Sequence, residues 1–138
     1  MSIILKDYGM VPTAKVEGTS VSSLTLTIPA FTIEFDSELL LYIFTIAVKY
    51  SPSSSTTLLI RVRKASDNSV VFLASHPFIN TSDDKTNLFT ESFSIVDFPI
   101  SGAQFILETF NTSGSAVSVA SMSFSVIVQV IQPWRRQI

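Results

Sequence analysis

The amino-acid sequence predicts an all-β fold on three observations. Apolar and polar residues alternate with period two from residue 24 to residue 131, the pattern of half-buried strands. No segment shows the 3.6-residue apolar period of an amphipathic helix. Turn-forming clusters divide the alternating runs into about eight strands, at the spacing of sandwiches or closed barrels.

The runs are taken in chain order. Residues 1–20 are an N-terminal arm or edge strand. Leu24, Leu26 and Ile28 then alternate with Thr25 and Thr27, and after Pro29 the pattern resumes with Phe31, Ile33 and Phe35 against Thr32 and Glu34. Proline has no N–H to give a ladder, so Pro29 belongs at an edge or a bend. The segment Leu39-Leu-Leu-Tyr-Ile-Phe-Thr-Ile-Ala-Val-Lys-Tyr50 is different. Its even positions, Leu40 to Tyr50, form one continuous apolar face. Leu39, Leu41 and Ile43 make the opposite face apolar as well, and a strand apolar on both faces is covered on both. The opposing sheet covers one face. A neighbouring subunit is the expected cover of the other, so Leu39, Leu41 and Ile43 are candidate oligomer-interface residues.

Ser51-Pro-Ser-Ser-Ser55 reads as a loop. Leu58, Ile60 and Val62 alternate with Leu59, Arg61 and Arg63. Ala65-Ser-Asp-Asn-Ser69 is a turn, because Asp and Asn bond their own backbone and tolerate positive φ. Residues 70–74 return as the hairpin partner, ended by His76-Pro77. Residues 80–87 form an exposed loop, and Phe93 and Ile95 begin a strand that stops at Asp97-Phe98-Pro99. Gly102 turns the chain into a strand over residues 105–110, and Asn111-Thr-Ser-Gly-Ser115 is a hairpin loop. Met122, Phe124, Val126, Val128 and Val130 give the longest clean alternation. At 138 residues the chain suits one domain, assigned to residues 1–132, with residues 133–138 as a C-terminal tail. Trp134 in that tail, beside Arg135 and Arg136, is a further candidate interface residue, since Trp and Arg are enriched where partners meet.

Composition narrows the function. The chain is 46% hydrophobic and 14% charged, against about 25% charged in ordinary soluble domains. Roughly a quarter of its residues are Ser or Thr, which suit strand faces and turns. A net charge of −2 and a pI near 5.2 argue against nucleic acid, which needs a basic surface. Arg61 and Arg63 share one strand face, a small patch that reads as a solvated outer surface. The most apolar run covers residues 39–48, about half the roughly 20 residues of a membrane-spanning helix, so no membrane span is expected. The start, Met-Ser-Ile-Ile-Leu-Lys, lacks the basic and apolar regions of a signal peptide. Synthesis in the cytoplasm without such a peptide is the expectation.

No catalytic constellation emerges. His76 is the one histidine and cysteine is absent, so neither a Ser-His-Asp triad nor a zinc site has its usual parts, and His76 reads as a loop histidine. Asp83-Asp84 lacks the Asp-x-Asp-x-Asp-Gly spacing of a calcium loop. Glu34, Asp36 and Glu38 lie at a strand end and read as surface charge rather than a paired-carboxylate site. Asn80-Thr-Ser82 and Asn111-Thr-Ser113 match the glycosylation pattern, which without a secretory signal is a chance match in a Ser/Thr-rich chain. The expectations are no enzyme activity, no metal and no cofactor.

The order of features resembles the tumour-necrosis-factor and complement-globular-head family. Leu41-Tyr42-Ile43-Phe44-Thr45-Ile46 is similar to its central aromatic strand. Leu58-Leu-Ile-Arg-Val-Arg63 and residues 70–73 resemble the hairpin that follows, and Phe98-Pro-Ile-Ser-Gly102 with Phe105-Ile-Leu107 resembles a later turn and strand. Ser121-Met-Ser-Phe124-Ser-Val-Ile127 is similar to the closing strand. The chain lacks the glycine before the aromatic strand, the Asp of the later turn and the closing glycine. The resemblance implies an antiparallel β-sandwich, a jelly-roll of about eight strands, that forms trimers, with relatives on phage virions and bacterial spore filaments. The expected function is therefore a structural or assembly protein of a virion or particle surface, of the phage decoration, spike or baseplate type. It would act as a homo-oligomer, a trimer in preference, with other structural proteins of the particle as partners. The alternatives are a carbohydrate- or receptor-binding jelly-roll module, or a spore-surface structural protein.

Overall fold

Eight antiparallel strands follow from the period-two runs. The computed structural model describes residues 13–30, 39–50, 56–78, 87–97, 100 and 102–131, with no helix among them. The strands are β1 (Thr13–Val21), β2 (Ser23–Thr27), β3 (Leu39–Tyr50), β4 (Thr56–Lys64), β5 (Val70–Phe78), β6 (Asn87–Asp97), β7 (Gln104–Phe110) and β8 (Val119–Ile131). They form two four-stranded sheets, in the orders β1-β8-β3-β6 and β2-β7-β4-β5. This is an antiparallel β-sandwich of jelly-roll type.

Alternation places the core. In β3 the even residues from Leu40 to Tyr50 are all buried, while Leu39, Leu41, Ile43, Thr45 and Ala47 are half-buried on the outer face. From β8, Met122, Phe124, Val126 and Val128 join them. Leu26, Leu58, Ile60, Val62, Phe105 and Leu107 face them from the second sheet. Removing each large apolar side chain from water contributes about 1.5–3 kcal/mol. Phe44 lies at the centre, its ring 4.9 Å from Phe93, 4.9 Å from Phe105 and 5.6 Å from Phe124. Phe72 stacks on Phe93 at 4.6 Å, so one aromatic run ties β5 and β7 of one sheet to β3, β6 and β8 of the other.

The chain changes sheets between β1 and β2. Just before that change Ser20, near the end of β1, adopts φ 54°, and the Ser22 carbonyl accepts from the Thr109 N–H at 2.9 Å. Gly18 is fixed by close packing, because a Cβ would lie 3.0 Å from both Leu24 and Val21 side chains. At the β4–β5 turn, Asn68 has φ 62° and Asp67 Oδ1 accepts from the Ser69 N–H at 2.9 Å. That is the self-capping turn expected of Ala65-Ser-Asp-Asn-Ser69.

Residues 13–21 form β1, an edge strand of the first sheet. Two strand limits differ from the sequence reading. His76-Pro77 does not end β5, which continues to Phe78. Among the described residues β5 is an edge strand with one side free of ladder bonds, and there a proline is tolerated. Strand β6 begins at Asn87, six residues before Phe93. The strand expected over Phe31, Ile33 and Phe35, the loop at 51–55 and most of the loop at 80–87 lie outside the described residues.

Candidate functional site

Two outer faces carry the features that bear on function. The outer face of the first sheet divides along its length. At one end Leu41 pairs across to Val96, and Ile43 to Ile127. Val96 is 55% exposed and Ile127 42%. With Leu39 one position along β3, these residues make that end mainly apolar, broken by Ser94 beside Ile43 and Gln129 beside Leu41. Toward the other end the same face turns to hydroxyls. Thr45 and Ser92 sit opposite each other, with Oγ1 and Oγ 3.4 Å apart. Ser121, Ser123 and Ser125 run alongside on β8. Their small side chains leave a shallow trough of about 390 Å³, walled by Glu17 and Thr19 on one side and Lys49 and Leu88 on the other.

The outer face of the second sheet carries an ion cluster. Register sets Arg61 of β4 directly opposite Glu108 of β7, and Ser23 of β2 opposite Glu108 on its other side. Arg63, two residues along β4, reaches Glu108 diagonally. Glu108 Oε1 accepts from Arg61 Nε at 3.0 Å and from Arg63 Nε at 2.9 Å, and Oε2 accepts from Arg63 Nη2 at 3.3 Å. Arg63 Nη1 also donates to Asn68 Oδ1. The Arg61 guanidinium lies over the Phe110 ring, 4.6 Å from its centroid. Burial would raise the Glu108 carboxyl, but the hydrogen bonds and charges of Arg63 and Arg61 outweigh it and hold the group below the usual carboxylate range. Beside the cluster opens a cleft of about 240 Å³, lined by Ser22, Ser23, Arg61, Glu108, Phe110 and Gly114, among others.

His76 is a correction to the loop reading. It lies within β5 opposite Leu58, half-buried, with its ring against Tyr50 and Phe89. The Tyr50 hydroxyl and His76 Nδ1 share a hydrogen bond. The only imidazole in the chain is thus a packing element that closes the sandwich between β3 and β5.

Of the candidate interface residues, Leu39, Leu41 and Ile43 come together on one outer face, and Trp134 lies outside the described residues. So do Glu34, Asp36, Glu38, Asp83, Asp84 and the Asn80 sequon. Asn111 is occupied locally: its Oδ1 accepts from the backbone N–H of Ser113 and of Ser115, each at 3.0 Å. Arg61 and Arg63 do share a face, as their spacing implied, but they are not simply solvated. Glu108 and Phe110, which organise them, were not singled out from the sequence. The available signal was a charge at 108 following the apolar run Phe105-Ile-Leu107.

No family model matches the chain, and no curated protein matches it in sequence. Its likenesses to solved structures are distant. Dimeric latent PorU from Porphyromonas gingivalis superposes with a TM-score of 0.46 at 12% identity, over 86% of this chain and 13% of that one. The globular domain of zebrafish complement 1qA protein gives a TM-score of 0.41 at 13% identity, over 88% and 98%. The N-terminal cellulose-binding domain of Cellulomonas fimi β-1,4-glucanase C gives 0.31 at 11%, over 92% and 91%. Likenesses this distant do not decide between an assembly protein and a binding module; that choice rests on the two outer faces.

Proposed function

We propose that the protein is a homo-oligomeric structural protein of a virion or particle surface, and that it assembles through the apolar end of the first sheet. The observation that carries the assembly reading is the cluster of Leu39, Leu41, Ile43, Val96 and Ile127 on one outer face. Soluble monomers rarely leave apolar patches larger than a few hundred Å² open to water. A closed rotational oligomer covers such a patch on every subunit at once. Three copies are favoured by the family resemblance of the sequence. The hydroxyl-rich, charge-poor remainder of the surface supports a packed particle coat, where neighbours rather than repulsion keep subunits apart. Trp134, in the tail after β8, is the remaining candidate contact.

The test is a charge placed at the patch. Leu41→Asp or Ile43→Asp buries an unpaired carboxylate in each interface, at a cost of about 3–5 kcal/mol, which weakens association by about a hundredfold or more. Light scattering at matched concentration should show the wild-type oligomer reduced to the 15.1 kDa chain in either variant. Thr25→Asp, on the exposed outer face of the other sheet, should leave the mass unchanged. Equal masses for Leu41→Asp and wild type would contradict assembly through this face.

A further inference from the structure

We propose that the cleft beside Arg61, Glu108 and Phe110 binds a single acidic sugar ring, a hexuronate-type carboxylated saccharide, independently of assembly through the opposite sheet. Charge comes first. Two guanidiniums share one carboxylate, so one positive charge of the cluster has no carboxylate among the described residues. The donors already used fix the orientation of the rest. Arg61 spends Nε and Nη2 on Glu108, and among the described residues its Nη1 has no acceptor. The Phe110 ring beneath the guanidinium and Glu108 beside it hold that plane in place. The remaining N–H edge is therefore preorganised for an incoming carboxylate, the group a guanidinium pairs with best.

The surroundings select a sugar over a bare anion. Ser22 and Ser23 line the same cleft as Arg61 and offer hydroxyls that both donate and accept. A ring bearing several hydroxyls and one carboxylate matches that set, whereas a small anion uses only the guanidinium. Size limits the occupant. About 240 Å³ lies below the roughly 300–1,000 Å³ of drug-sized sites, which leaves room for one ring. Gly114, at φ +89° with no atom within 4 Å of where a Cβ would stand, keeps that side of the cleft open.

The test uses the full chain and three probes, D-glucuronate, D-glucose and acetate, followed by NMR at constant ionic strength. Glucuronate should give saturable shifts at the Arg61 Nε–H and at the Thr109 and Phe110 amides, in about the millimolar range. Glucose and acetate should each bind about tenfold or more weakly, because each lacks half of the recognition. Arg61→Gln should weaken glucuronate by about tenfold or more, with the remaining amide spectrum unchanged. Ser23→Ala, which removes a cleft hydroxyl and adds no charge beside Glu108, should weaken it by about fivefold. Acetate binding as tightly as glucuronate would reduce the site to a plain anion contact and overturn the proposal. So would equal binding of glucose, the absence of saturable shifts, or glucuronate affinity unaffected by both substitutions.

Discussion

Phe44→Ala is expected to lower the unfolding free energy by about 3–5 kcal/mol, the range for truncating a fully buried phenylalanine. Phe44 is wholly buried and touches aromatic rings from both sheets, Phe93 and Phe124 on its own side and Phe105 across the interface. Its removal therefore costs the transfer of the ring, leaves a void between the sheets, and ends three ring–ring contacts, each worth about 0.5–1.5 kcal/mol beyond burial. The void cannot close cheaply, because β3 is pinned between β8 and β6 along its whole length. Urea unfolding at fixed protein concentration should show a lower midpoint with an unchanged slope. Concentration must be matched because subunit association adds to apparent stability. A loss under about 1 kcal/mol would mean that the aromatic run is not the joint between the sheets.

The second large effect is alkaline. The Tyr42 hydroxyl is buried against the loop before β7, where it accepts from the Ile100 N–H at 3.0 Å. Burial, with a lesser contribution from the negative charge of Asp97, pushes it up to about 12; the Ile100 hydrogen bond acts the other way and is outweighed. The folded value lies above the unfolded value of 10.0, so folding favours the protonated phenol. That stabilisation is complete below pH 10 and is lost as pH rises toward 12. Two pK units correspond to about 2–3 kcal/mol. Tyr50, also raised by burial, adds a loss of the same sign. Unfolding midpoints measured from pH 9 to 12 should fall steeply for wild type and less steeply for Tyr42→Phe. The variant starts lower at neutral pH by about 1 kcal/mol, since Ile100 loses its acceptor. Parallel curves for the two proteins would show that Tyr42 ionises freely in the folded state.

How much was legible in the sequence follows from which signals are local. The face of each residue in β3 and β8 was readable, because period-two alternation is a property of consecutive residues. The β4–β5 turn was readable for the same reason. Strand β1 left only a weak period, because its inward positions are Ala14, Val16 and Gly18, too small to stand out against Lys15, Glu17 and Thr19, so the sequence left an arm and an edge strand both open there. The start of β6 was missed because Glu91 occupies a core-side register position opposite Ile46 yet remains exposed at the open edge. A charge there discourages edge-to-edge pairing and, in the same stroke, breaks the apolar period. The Arg61–Glu108 cluster was beyond reach for a different reason. Alternation reports which face a residue occupies but not which strand lies beside it, and 47 residues separate the pair. Only the β4–β7 register brings them together. Leu39, Leu41 and Ile43 needed no such pairing, since three apolar residues on the second face of one strand already point to a missing cover.

That cover is the central claim, and the solution mass of the wild-type protein tests it most directly. Sedimentation equilibrium over a range of concentrations should give a closed species of three times the 15.1 kDa chain mass, holding together on dilution into the micromolar range. A single species of 15.1 kDa at every concentration would contradict the account, because the apolar end of the first sheet would then stand open to water in the working protein.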